Sequence, residues 1–429
     1  MGESVAGPHR GARGECEREM GMILLRNASI VDGAAAEPRP GVNILIEGEI
    51  FREVGEAAAA AVADGIDLDG KIVMPGLIDC HVHVVATLVN LAQNSLLPDS
   101  LVAARASVIL RDMLMRGFTS VRDVGGADFG LKLALQEGAI VGPRLFICGK
   151  ALSQTGGHAD LRGRFDWRDA RYFMRRLGAL GRICDGVPDV RLAAREEIKA
   201  GADLIKIMAN GGIASPTDPI VFLGFSREEI AAAVEEAAMA NTYVAAHLYT
   251  DAAIRRAVEC GVKSVEHANL VTPATARLMV ERGAWAVPTL VTFEALKEEG
   301  ARFGLPEVSI AKIDDVRLAG LKSLEILRDA GVKMAYGSDL LGEMHRRQSE
   351  EFTIRNRALP AREIISSATR VGAEVLGMAG RLGTIAPGAY ADLIVIDGNP
   401  LEDLSVLGGQ GERIAAIMQG GRFVKNRLC

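Results

Sequence analysis

The run Gly76-Leu-Ile-Asp-Cys-His-Val-His-Val-Val-Ala86 decides the fold. It follows Met74-Pro75 directly, it is apolar, and it carries two imidazoles, His81 and His83, two positions apart. Side chains along a strand alternate with period two, so both imidazoles share one face. Two imidazoles on the inward face of a strand, at its functional end, can chelate one metal ion.

Outward from this run the same pattern repeats. Short apolar runs at 77–83, 119–123, 144–148, 204–208, 243–247, 264–267, 284–288 and 332–338 alternate with amphipathic, helix-length segments at 103–116, 190–200, 227–241, 251–259, 273–282 and 313–329. Glycine closes several helices just before the next run, as at Gly117, Gly201, Gly261 and Gly331. Eight such units predict an α/β chain, with a (β/α)8 TIM-like barrel over 76–385. Residues 153–189 are irregular and read as a long loop over the active-site face. Both chain ends are strand-rich, at 22–32 and 42–47 and again at 391–397, 414–419 and 421–425. They predict a small β-sandwich domain built from 22–75 and 386–427.

Functional groups of such a barrel belong at the C-terminal ends of its strands. In order, those ends carry His81 and His83, Lys206, His247, Glu266-His267 and Ser338-Asp339. Singly, each has an ordinary reading. A lone His is more often a hydrogen-bonded core residue, and an Asp after Ser is more often a helix cap. A Lys inside an apolar strand is rarer, because burying its charge is costly without a partner. Jointly they point elsewhere: the chain has 7 His, and four of them fall at three predicted strand ends.

This ordered set resembles the amidohydrolase superfamily of binuclear-metal type, from about residue 22 to 427. Finer stretches, including 151–160, 205–212, 215–219, 247–250 and 337–342, are similar to its Xaa-Pro dipeptidase (prolidase), Xaa-Arg/Lys carboxypeptidase and ochratoxin-hydrolysing branch. The resemblance implies a hydrolase that cleaves an amide and releases an amino acid with a free carboxylate. Its substrate would be a dipeptide or another small molecule of that kind, with a xenobiotic N-acyl amino acid such as ochratoxin A, or another amide, as the alternative. It also implies two divalent metal ions, zinc by expectation. His81, His83 and Asp339 would hold the first and His247 and His267 the second, with a carboxylated Lys206 and a hydroxide bridging the two. Two cations about 3.5–4 Å apart lower the pKa of a bridging water. Asp339 would accept its proton and deliver it to the leaving nitrogen.

His158 and Tyr249 complete the implied catalytic set. One would polarise the scissile carbonyl and the other bind the substrate carboxylate. Arg122, Arg162 and Arg175 are the candidate carboxylate cations, and His345 reads as a loop or supporting residue. The chain departs from the dipeptidase pattern over 165–182, where those relatives carry a Pro- and Cys-rich insert, and at Leu248, where a smaller residue is usual. Both departures bear on the substrate and leave the metal ligands intact. A non-catalytic scaffold relative, which would lose such ligands, is the remote rival.

Composition excludes other classes. Net charge is −6 with no long basic run, so nucleic acid is not an expected partner. No apolar stretch reaches the roughly 20 residues of a membrane helix. The 6 Cys are scattered with no CxxC pair, which suits a reducing, cytoplasmic setting. Residues 1–21 are polar and Gly-rich, lack a signal-peptide core, and read as a disordered extension that includes His9. By its relatives, the protein is expected to be a homo-oligomer.

Overall fold

The computed structural model describes residues 21–60 and 64–428. The expected extension over 1–21, with His9, lies outside the described residues except for Gly21. The fold is α/β, with parallel sheets in the middle of the chain and a separate sheet built from both ends.

Among the described residues the terminal sheet has eight strands. Ile23–Ile30 pairs with Arg39–Glu47, which pairs with Ile50–Val54. Ile72–Pro75 joins Ile23–Ile30 to Leu393–Ile396, and Ile414–Gln419 and Arg422–Asn426 extend that side. The strands form one sheet rather than the two separate sheets expected of a sandwich. That sheet curls back on itself: Ile50 bridges Tyr390, and Ala391 N donates to Glu49 O across 2.8 Å. The curl encloses a core that includes Leu25, Ile44, Phe51, Val73, Leu393 and Met418.

Gly76 is the hinge between the two parts. Pro75 ends a strand of the terminal sheet and Leu77 begins the first central one. A Cβ on Gly76 would stand 2.1 Å from Thr119 Oγ1, so only glycine lets the chain pass at this point.

Two parallel arcs make the central part. Leu77–Val82, Phe118–Asp123 and Arg144–Ile147 form one. Gly181–Ile183, Ala151–Ser153, Ile205–Met208, Val244–Thr250, Ser264–Leu270 and Trp285–Val287 form the other. The run at 332–338 is not a regular strand, but it is held on both flanks. Ala335 N donates to Ala286 O (2.9 Å) on one side, and Cys80 N to Tyr336 O (2.8 Å) on the other. Arg144–Ile147 and Ala151–Ser153 are consecutive pieces of one bent run, and each piece pairs into a different arc.

The expected loop over 153–189 contains more structure than its irregular sequence suggests. A short helix, Ala170–Met174, and the strand Gly181–Ile183 lie within it, the latter pairing parallel with Ala151–Ser153. The helix expected over 313–329 is two, Ile313–Arg317 and Gly320–Ala330. Helices Phe129–Gln136 and Leu290–Glu299 were not expected. The first is only two turns long, and the second is buried along much of its length, so neither shows a clean amphipathic stripe.

Candidate metal centre and active site

The structure brings the four imidazoles into one arc. Ring centroids of His83 and His81 lie 5.3 Å apart, those of His81 and His267 4.8 Å, and those of His267 and His247 4.8 Å. All four residues are buried. The Asp339 carboxylate faces three of them. Its Oδ1 is 3.4 Å from His81 Nε2 and 3.2 Å from His83 Nε2, and its Oδ2 is 3.9 Å from His267 Nδ1. One donor atom from each of His81, His267 and Asp339 falls within a 4.8 Å cluster, the spacing of groups that can share a cation.

Each imidazole is also fixed from behind. His81 Nδ1 donates to Glu266 Oε2 at 2.7 Å, and His83 Nδ1 to Gly125 O at 3.1 Å. His247 Nε2 donates to Gly211 O at 3.3 Å, and His267 Nδ1 hydrogen-bonds Thr289 Oγ1 at 2.8 Å. One ring nitrogen of each is therefore engaged by a protein group, and for His81 and His83 the other nitrogen, Nε2, faces Asp339. Metal-binding histidines are held this way, because the outer bond fixes tautomer and ring orientation. The donor set of four imidazoles, a carboxylate and a lysine fits divalent metal of the zinc type.

Backbone geometry points the same way. His267, Ala268 and Asp339 have φ of 71°, 56° and 53°. Such conformations cost non-glycine residues energy and gather at functional sites. Here they turn the strand ends so that His267 and Asp339 reach the centre.

Electrostatics separate the roles. Burial, reinforced by neighbouring cationic groups, pushes the His247 and His267 imidazoles well below their ordinary range, so both are neutral and can donate lone pairs. Burial raises the Asp339 carboxyl, but the imidazoles of His81, His83 and His267 outweigh it and keep the group ionised. Lys206 is buried in the strand Ile205–Met208. Burial lowers its pKa, Arg122 lowers it further, and Glu266 and Asp339 oppose the shift.

Beside the arc, the His158 ring stacks on His247 at 4.1 Å, and Tyr249 meets His247 edge-on at 4.5 Å. His158 Nδ1 hydrogen-bonds Ser215 Oγ at 2.7 Å and lies 3.4 Å from Asp218 Oδ2. Burial holds the Tyr249 hydroxyl well above its usual pKa, so it remains an O–H donor. The cavity over these groups is otherwise apolar, lined in part by Leu91, Leu161, Leu180, Phe293, Leu296 and Leu305.

The three candidate carboxylate cations do not reach this cavity. Arg122 is fully buried and pairs with Glu266, its Nη2 2.8 Å from Oε1, while its Nη1 donates to Ser264 Oγ and Tyr243 OH. It anchors the carboxylate that anchors His81. Arg162 is spent on Asp160, and Arg175 is exposed. His345 is buried behind the site and donates from Nε2 to Ala86 O at 3.2 Å. Sequence reading assigned no role to Glu266. The available signal was a pair of opposite charges in two apolar runs far apart in sequence, Arg122 in 119–123 and Glu266 in 264–267. The carbonyls of Gly125 and Gly211 carry no sequence signal.

Comparison with known proteins gives four relevant likenesses. The Amidohydrolase family profile matches residues 72–423. Ochratoxinase of Aspergillus niger is 32% identical over 373 residues, covering 82% of this chain and 76% of that protein. The crystal structure of a prolidase complexed with N-methylphosphonate-L-proline superposes with a TM-score of 0.93 at 51% identity, covering 95% of this chain and 100% of that one. A Xaa-Pro dipeptidase with methionine bound in its active site superposes with a TM-score of 0.83 at 29% identity, over 95% and 100% of the two chains.

Proposed function

The chain belongs to the amidohydrolase family and is a hydrolase acting on amide bonds, and from that premise we propose that it releases a C-terminal amino acid from a dipeptide or N-acyl amino acid. The single observation that carries this reading is the arc of four imidazoles, each fixed through one ring nitrogen, closed by Asp339 beside a buried lysine. In this reading the two arcs and the run at 332–338 close an eight-stave barrel over 76–385, with the terminal sheet as a second domain.

His81, His83 and Asp339 would hold one divalent ion, and His247 and His267 a second. Lys206 would bridge them as its carbamate, which needs the neutral amine that burial favours. When bound, the metal pair supplies Lewis acidity and acidifies a water to make the nucleophile. Asp339 would accept a proton at its carboxylate and deliver it to the departing amine nitrogen, which leaves poorly without it. Of His158 and Tyr249, one donates to the scissile carbonyl oxygen and the other to the substrate carboxylate. Among the described residues no arginine lines the cavity, so carboxylate recognition falls to these two donors.

The apolar lining suits a substrate with uncharged, apolar side chains, and the prolidase likeness at 51% identity favours Xaa-Pro dipeptides. Likeness to ochratoxinase supports a second reading, a bulkier N-acyl amino acid such as ochratoxin A. Hydrolysis of Xaa-Pro and Xaa-Arg dipeptides, N-acyl amino acids and ochratoxin A, followed by amino-acid release, separates the readings. Turnover of an Xaa-Pro or other apolar substrate is expected. No release from any of them, with zinc and bicarbonate added, would overturn the proposal. The four described cysteines are free thiols, which supports the cytoplasmic setting. A homo-oligomer is part of the same proposal.

A further inference from the structure

Lys312 lies far in sequence from every residue of the proposed site, yet it grips the loop that holds His158. Its Nζ donates to Gly212 O at 2.7 Å, Ser215 O at 2.9 Å and Asp218 O at 3.0 Å. An ammonium has three N–H donors, so all three find a backbone carbonyl. The side chain is 13% exposed, and Asp218 Oδ1 stands 3.9 Å away. Surface lysines ordinarily keep their charge in water; this one turns inward onto a single loop.

That loop does one visible thing. Ser215 Oγ and Asp218 Oδ2 face His158 Nδ1 at 2.7 and 3.4 Å, and Asp218 Oδ2 also accepts from Gly212 N at 2.8 Å. Gly212 lies flat against the His158 ring, so a Cβ there would stand 1.9 Å from ring atoms. The His158 ring is thus held between this loop and the face of His247. Lys312 itself comes from the segment before the helix Ile313–Arg317, the same stretch of chain that sends Leu305 into the cavity wall.

We propose that Lys312 is a positioning residue, which locks the 211–219 loop and through it sets the His158 ring for the reaction. The inference rests on the role given to His158 above. An arginine would not serve, because its planar fork cannot aim three donors at one loop from a single nitrogen.

Lys312→Met is the direct test, read on whichever substrate wild type turns over fastest. Misplacing a reacting group by about 1 Å can cost on the order of a hundredfold in rate. The expected result is a kcat lower by roughly ten- to a hundredfold, with KM and bound metal little changed. Backbone amides over 209–222 should also exchange hydrogen faster. Combined with Ser215→Ala, the loss should be no larger than the greater of the two single losses, because both act through one loop. An unchanged kcat in the folded variant, or fully additive losses, would overturn the inference. Lys312→Gln keeps two N–H donors and carries the same readouts if the methionine variant does not fold. His158→Asn separates the two levels. If it leaves turnover intact, the role of His158 falls. If it is crippled while Lys312→Met is not, only the role of Lys312 falls.

Discussion

At the scale of single residues, the centre is held by its outer contacts. The Arg122–Glu266 pair is fully buried, and Glu266 spends its second oxygen on His81. Breaking such a pair leaves a charge buried without a partner, at a cost of about 3–5 kcal/mol. Glu266→Gln should therefore lower stability by that order, seen as a lower denaturation midpoint, and weaken metal affinity by roughly 10–100-fold. Unchanged affinity in the folded variant would free His81 from this support. Lys206→Ala should lose most bound metal and activity, and retention of both would remove the carbamate from the mechanism. His345 offers a pH test. Burial holds its pKa down at about 3, far below the ordinary value of 6.5. A histidine kept neutral in the fold takes up its proton first in the unfolded chain. Stability is thus lost as pH falls below 6.5, at up to about 1.4 kcal/mol per unit. His345→Gln can still donate to Ala86 O and does not titrate. Its stability relative to wild type should improve between pH 7 and pH 5, measured on metal-stripped protein; a constant difference would contradict the buried neutral state.

At the scale of elements, strand ends and the loops beyond them divide the work. The strands supply His81, Lys206, His247 and His267, and period-two alternation made those residues legible in the sequence. The loops hold the rest, and there the sequence was less informative. Gly211 and Gly212 stood in a recognisable stretch, but their close approach to other groups appears only in three dimensions. The run at 332–338 read as a strand because it is apolar; it instead ends in a left-handed turn at Asp339, φ 53°. Arg122 read as one of three candidate cations for the substrate carboxylate. Its partner, Glu266, sits on another strand, and only the fold brings the two together. Gly212→Ala tests the loop directly. Its methyl group would press on the His158 ring, so kcat should fall at least tenfold, by misplacement of the kind that can cost a hundredfold, while the melting temperature changes little. A fully active Gly212→Ala would show that His158 need not sit where the structure places it.

At the scale of the whole molecule, the chain threads out of one sheet, around the central arcs and back into the same sheet. Strand-rich ends and a helix-rich middle made this legible before any coordinates. The single curled sheet was not, because its closure depends on backbone bonds between 49–51 and 388–391 that no side-chain pattern announces. Among the described residues no helix is long and apolar enough to cross a membrane. What unites the molecule is the convergence of six groups from five stretches of chain on one cavity, and the proposal is that they hold metal. Elemental analysis of protein never exposed to chelator tests that most directly. Two divalent ions per chain, lost together on substitution of Lys206, are the expected result. Near-zero metal that added zinc and bicarbonate do not restore would contradict it, and would leave the imidazole arc as a buried hydrogen-bonded core.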